Sequence, residues 1–181
     1  MNDYCNTWNL TVNISKTKIV VFSRGKMRNI PSFKFGKDNI EVRDDFTYLG
    51  VVFNYNGKFK KAISKQVTQA KQAMFALLSK AANLHLPIDI VCELFDNLVL
   101  PILIYGCEVW GFENIDHIEI FYRNFLRRLL KVNKMTANCM LYGEVGKYKL
   151  VSIVAKRIIQ FWSRMVTVLG SKPNSHLDST A

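Results

Sequence analysis

A chain of 181 residues is the length of one domain, or of one domain and a small second piece. Its 49% hydrophobic and 22% charged residues are an ordinary globular mix, able to bury a core without disulfide or metal staples. Lys and Arg total 25 against 14 Asp and Glu, a formal net charge of +11. That balance excludes a typical acidic enzyme and an acidic disordered tail. It points to a polyanionic partner, either nucleic acid or an anionic membrane surface.

In chain order, residues 2–9 predict one or two helical turns anchored by Trp8. Ile19 to Phe22 is a short β-branched run, followed by the turn-like Ser23-Arg24-Gly25-Lys26. Phe33 and Phe35 alternate with polar residues up to a turn at Gly36-Lys37-Asp38-Asn39, after which Ile40 and Val42 alternate again. Phe46, Tyr48 and Val51 to Phe53 predict a strand pair around Gly50, and Asn56-Gly57 is a strong turn signal.

The periodicity then becomes helical. Phe59, Ile63, Val67, Ala70, Met74, Leu77 and Ala81 fall at steps of three and four, predicting one helix over 58–84. Lys58, Lys61 and Lys65 lie on its other face. Pro87 suits the start of a helix reaching Leu100, which Pro101 breaks or kinks. A helix over 115–132 has Glu113, Asp116 and Glu119 at its start, where the dipole favours acids. Ile118, Phe121, Phe125, Leu129 and Val132 form its apolar stripe. A last helix spans 150–168 through Ile153, Val154, Ile158, Phe161 and Met165, and from 170 the chain is small and polar. The pattern is α+β: a small antiparallel β region, then a mostly α-helical region. The helical part, with apolar stripes that pack on one another, is expected to be the more stable. The Ile19–Phe22 strand is expected to leave an open edge.

Few residues suggest catalysis. Cys5, Cys92, Cys107 and Cys139 are widely spaced, with no C-x-x-C pair, and read as free, mostly buried thiols. His85, His117 and His176 have no partner at zinc-ligand spacing. Asp44-Asp45 has the chemistry of a magnesium pair, but lacks a third carboxylate nearby and reads better as a charged turn. Tyr105-Gly106-Cys107-Glu108-Val109-Trp110-Gly111 reads as a tight helix junction where glycine permits close approach or a positive φ. No secretory signal is visible, and the longest apolar run, Leu98 to Tyr105, is too short to span a membrane. The chain is expected to be intracellular, whether nuclear or cytoplasmic.

The basic residues are the informative ones. Lys16, Lys18, Arg24, Lys26 and Arg28 face one acid, Asp3, in the first 30 positions. Arg123, Arg127, Lys131 and Lys134 form a second stripe, which is either a solvated helix face or a set of phosphate contacts.

Several stretches, in this order, resemble reverse transcriptases of non-LTR (LINE-type) retrotransposons. Leu10-Thr11-Val12-Asn13-Ile14-Ser15-Lys16-Thr17-Lys18 is similar to the segment after their catalytic strand. Phe46-Thr47-Tyr48-Leu49-Gly50 is similar to their primer-grip hairpin, and Pro101 to Gly111 to a signature further on. Phe125-Leu126-Arg127-Arg128-Leu129-Leu130 and Leu141-Tyr142-Gly143-Glu144 fit the downstream pattern. The likeness covers residues 5–165. It implies the end of a palm over 1–56 and a thumb and following helices over 57–169; the small, polar residues 170–181 are expected to form a flexible tail. It implies that Lys16, or else Lys18, lies near the incoming nucleotide's phosphates, and that Tyr48, Leu49 and Gly50 position the primer end. It further implies that Lys58, Lys61 and Lys65 follow an RNA–DNA duplex, with Arg123, Arg127 and Lys131 as further phosphate contacts. The implied partners are an RNA template and a DNA primer, with no membrane and no small-molecule substrate.

The family's aromatic-x-Asp-Asp strand has no counterpart in this sequence, and Asp44-Asp45 follows the Lys16 segment instead of preceding it. Two-metal polymerisation is therefore not expected of this chain. It needs no cofactor of its own; Mg2+ belongs to the full-length parent. Two other readings remain: a free-standing nucleic-acid-binding helical module, or a retrotransposon relic without function.

Overall fold

A computed structural model describes residues 2–23, 25, 31–112 and 115–170. The 171–181 part of the expected tail, Arg24, Lys26, Arg28, Glu113 and His176 lie outside the described residues. The fold is α+β, and the chain divides into two compact units, Met1–Ile63 and Ser64–Ala181.

The first unit opens with α1 (Asn2–Thr7). Its anchor is Cys5, which is buried, and not Trp8, which is 65% exposed. Strands β1 (Lys18–Ile19) and β2 (Phe33–Phe35) flank β3 (Asp38–Val42). The β2–β3 pair is the antiparallel hairpin that the alternation predicts, with Gly36 at φ 60° in its turn. The β1–β3 pair is parallel, with Lys18 opposite Glu41, a direction that residue alternation does not encode. Of the predicted strand over 19–22, only Ile19 pairs. β4 (Asp45–Tyr48) and β5 (Val51–Asn54) form a second antiparallel hairpin with Tyr48 opposite Val51. Its two-residue turn has Leu49 at φ 46° and Gly50 at φ 85°. Two successive left-handed residues match the twist of the flanking strands.

Helix α2 (Lys60–Asn83) crosses from the first unit into the second. Ala70, Met74, Leu77 and Ala81 are buried at the predicted steps. Pro87 caps α3 (Ile88–Leu94) without ending an earlier helix. A π-helical turn follows at Phe95–Val99, then α4 (Leu100–Leu103). Pro101 neither breaks nor ends this run. It has no N–H, and its ring crowds the carbonyl four residues back, so the preceding turn is wider. The Leu100 N–H donates to Phe95 O, five residues earlier. Beyond it lie α5 (Cys107–Trp110), α6 (Asp116–Leu130), α7 (Asn138–Val145) and α8 (Leu150–Gly170).

Aromatic rings centre this unit. Phe95 stacks on Phe125 with centroids 3.9 Å apart, and the Tyr122 ring lies 5.5 Å from Phe95. Trp110 is fully buried and its indole N–H donates to Tyr105 O at 2.8 Å. Gly106 sits at φ 70°. A Cβ on Gly111 would stand 2.5 Å from Cys107 O and 2.8 Å from Ile158 Cδ1. The tight junction read from this glycine-rich stretch is therefore the packing of α5 on α8. Beyond Ile158, α8 is largely exposed, Trp162 and Met165 included, so the apolar stripe predicted through Met165 is core only in its first half. Cys92 and Cys107 are buried free thiols and Cys139 is an exposed one.

Candidate nucleic-acid interface

In the first unit, Asn13 builds the turn that carries Lys16. Its Oδ1 accepts from Ser15 Oγ at 2.7 Å and from Lys16 N at 3.1 Å. Its carbonyl accepts from Thr17 Oγ1 at 2.9 Å. Such a side-chain-closed turn holds the backbone while the Lys16 side chain stays exposed. Lys18 is different. Its Nζ donates to Glu41 Oε2 at 2.5 Å and its side chain is only 17% exposed. Arg43 Nε donates to the other Glu41 oxygen at 2.6 Å. These hydrogen bonds, Arg43 first and Lys18 second, hold the Glu41 carboxyl down to about 2. Among the described residues Lys16 forms no ion pair.

Tyr48, Leu49 and Gly50 make the exposed tip of the β4–β5 hairpin; Leu49 is 73% exposed. Lys58 is exposed just before α2, its N–H donating to Asn56 Oδ1 at 2.9 Å. Lys61 donates to the Asp45 carboxylate, which raises the lysine's proton affinity. Asp45 is thereby tied to a lysine at the start of β4, and Asp44 lies in the bend just before that strand. Among the described residues no group of three or more His, Cys, Asp or Glu gathers where a metal ion could sit. No described helix is long and apolar enough to cross a membrane.

In the second unit Lys65 is half-buried on α2. The basic residues predicted as a stripe along α6 differ in exposure. Arg123 is half-buried and hydrogen-bonds Tyr142. Arg127 donates from Nη2 to Asn138 Oδ1 at 2.7 Å and to Thr136 O at 3.3 Å, pinning the loop before α7. Lys131 is exposed and ends α6 in the left-handed conformation at φ 54°, its N–H donating to Arg127 O.

Instead, an open groove of about 850 Å³ runs between α2 and α6. Lys71, Arg127, Arg128 and Lys134 line it, together with His117, and among the described residues no lining residue is acidic. Its apolar walls include Phe75, Ile120 and Val132. The Arg128 guanidinium lies over the Phe75 ring, 5.0 Å from its centroid. Lys71 and Phe75 were not among the sequence-predicted site residues. Their one-turn spacing on α2 was a visible signal, but the partner helix was not.

Two curated relatives are similar in sequence. A transposon-derived protein of Caenorhabditis elegans is 26% identical over 137 residues, covering 71% of this chain and 47% of its own length. A protein of Drosophila melanogaster, named as an RNA-directed DNA polymerase from transposon X-element, is 25% identical over 121 residues, covering 65% of this chain and 13% of its own length. The chain is related to transposon-encoded proteins. It spans about half the length of the first relative and far less of the second. No protein-family model matches the sequence, and no solved structure matches it.

Proposed function

We propose that this chain is the C-terminal part of a non-LTR retrotransposon RNA-directed DNA polymerase, the end of the palm with the thumb. In this reading it grips the RNA template and DNA primer and contributes no catalytic carboxylates. The observation that carries the reading is the charge of one stretch. From Phe46 to Ile88 the sequence holds no Asp or Glu, while Lys58, Lys60, Lys61, Lys65, Lys71 and Lys80 fall within it. Most of these lysines lie on α2, a helix of 24 residues. A long helix with one sign of charge is poorly stabilised by its own side chains and well suited to a row of phosphates.

Two local features support the same reading. Lys16 is displayed on a closed turn without an acidic partner among the described residues, whereas Lys18 is neutralised by Glu41. Lys16 is therefore the one to meet a nucleotide phosphate. The Leu49-Gly50 turn offers an exposed tip where a primer backbone approaches closely. The names of the two relatives, transposon-derived and transposon-encoded, support the same reading.

The test is binding of an RNA–DNA hybrid by the wild type and by Lys16→Gln, Lys58→Gln and Lys65→Gln variants. Weakened hybrid binding in each variant, with no magnesium-dependent primer extension by the wild type, supports the reading. Unchanged binding in all three, or nucleotide incorporation by this chain, overturns it.

A further inference from the structure

We propose that the α2–α6 groove is a second nucleic-acid site, built for a single strand and not for the duplex. It rests on the nucleic-acid reading above, but uses neither the hairpin nor Lys16. Four cations line the groove and none forms an ion pair among the described residues. Among the described residues Arg127 Nε is buried without a hydrogen-bond partner, although the same guanidinium is held by Asn138. A concave surface with this charge suits a chain of phosphates.

The walls decide which form of nucleic acid fits. A duplex turns its phosphates outward and hides its bases, so it has no use for an apolar floor. A single strand presents both. Phe75 is 41% exposed and Ile120 44% exposed, and both are groove-lining. The Arg128 guanidinium lies over the Phe75 ring, and this planar cation is a group on which an unpaired base can stack. Lys71 and Lys134, on the two sides of the same groove, are placed for the flanking phosphates. A groove with stacking platforms between cations binds without reading sequence. In a protein that grips a primer–template, it would take an unpaired stretch of template or product beside the duplex.

The test uses oligouridylate and oligoadenylate of roughly 12 nucleotides, an RNA–DNA hybrid of the same length, and polyglutamate as a base-free polyanion. The variants are Lys134→Gln with Arg128→Gln, Phe75→Ala, and Lys58→Gln as the control outside the groove. Every mutated side chain is exposed, and equal thermal midpoints confirm folding. The double variant is expected to weaken single-strand binding at least about tenfold and to flatten its log–log salt slope by about 1.4, two contacts at about 0.7 each. Phe75→Ala is expected to weaken it about fivefold or more with the slope unchanged. Both leave hybrid binding within about twofold, whereas Lys58→Gln weakens hybrid binding and spares the single strands. Groove variants that leave single-strand binding unchanged, or that weaken hybrid and single strand equally, overturn the inference. So does competition by polyglutamate as effective as by oligonucleotide. Single-strand binding without hybrid binding by the wild type overturns the duplex grip and leaves the groove standing. No binding of either overturns both.

Discussion

Tyr142 on α7 donates its hydroxyl hydrogen bond to the buried carboxylate of Glu119 on α6. The second carboxylate oxygen accepts from the Val151 N–H at 3.1 Å, in the first turn of α8. One acidic side chain thus joins three helices and satisfies one of the free donors at a helix start. Removing it leaves two donors without their acceptor. Glu119→Ala is expected to destabilise the protein by about 2–4 kcal/mol. Tyr142→Phe, which keeps the Val151 contact, is expected to cost about 1–2 kcal/mol. Urea unfolding midpoints check the order of the two.

Gly111 and Gly143 respond to alanine with opposite signs. At Gly111 the added methyl meets a backbone carbonyl at 2.5 Å and two α8 side chains inside 3 Å. Overpacking of that kind is expected to cost about 1–3 kcal/mol or more. At Gly143, inside α7, the methyl meets nothing within 4 Å. There alanine lowers the entropy of the unfolded chain, and a gain of about 0.5–1 kcal/mol is expected. Thermal unfolding of the two variants should shift in opposite directions.

Alkaline pH acts on buried groups. Burial, with a smaller contribution from Glu108, pushes the Cys107 thiol up to about 11. Burial first, then the hydrogen bond to Glu119, pushes the Tyr142 hydroxyl up to about 12. The unfolded chain releases these protons at lower pH than the native state does. Stability is therefore complete below the ordinary thiol range and falls as pH rises from there through 11 and 12. The sign follows because the native state binds more protons in that window. Denaturant titrations between pH 8 and pH 12 should show stability falling throughout the upper range. A Cys107→Ala variant should show a shallower fall at its start.

Thiol exposure gives a chemical check of the fold. Cys139 is exposed, whereas Cys5, Cys92 and Cys107 are buried. An alkylating reagent at neutral pH is expected to modify Cys139 fast and the other three only through unfolding. Mass spectrometry of peptides from a timed reaction measures this. Rapid modification of Cys107 would contradict the packing of α5 on α8.

The long helices were legible because a helix writes its buried face at steps of three and four. The stripes of α2 and α6 run through enough turns for that period to stand out. The β4–β5 hairpin was legible from Gly50 and the alternation on either side of it. The short helices α5 and α7 were not, because four to eight residues hold too few turns to show a period. The widened turn at Phe95–Val99 could not be read either, because Pro101 predicts an interruption but not how the chain absorbs it. Charge misled in one respect. Arg123 and Arg127 look solvated in the sequence, yet Tyr142 and Asn138 draw them inward. The groove depends on Phe75 and Arg128 meeting across two helices more than fifty residues apart in sequence, a pairing that no local pattern records.

The most direct test of the account is the salt dependence of RNA–DNA hybrid binding. If the lysines of α2 and Lys16 meet phosphates, the logarithm of affinity falls against the logarithm of salt with a slope of about −4 to −6. A slope near zero, or no binding at low salt, would mean that the positive charge of this chain grips nothing, and the proposed grip on primer and template would be wrong.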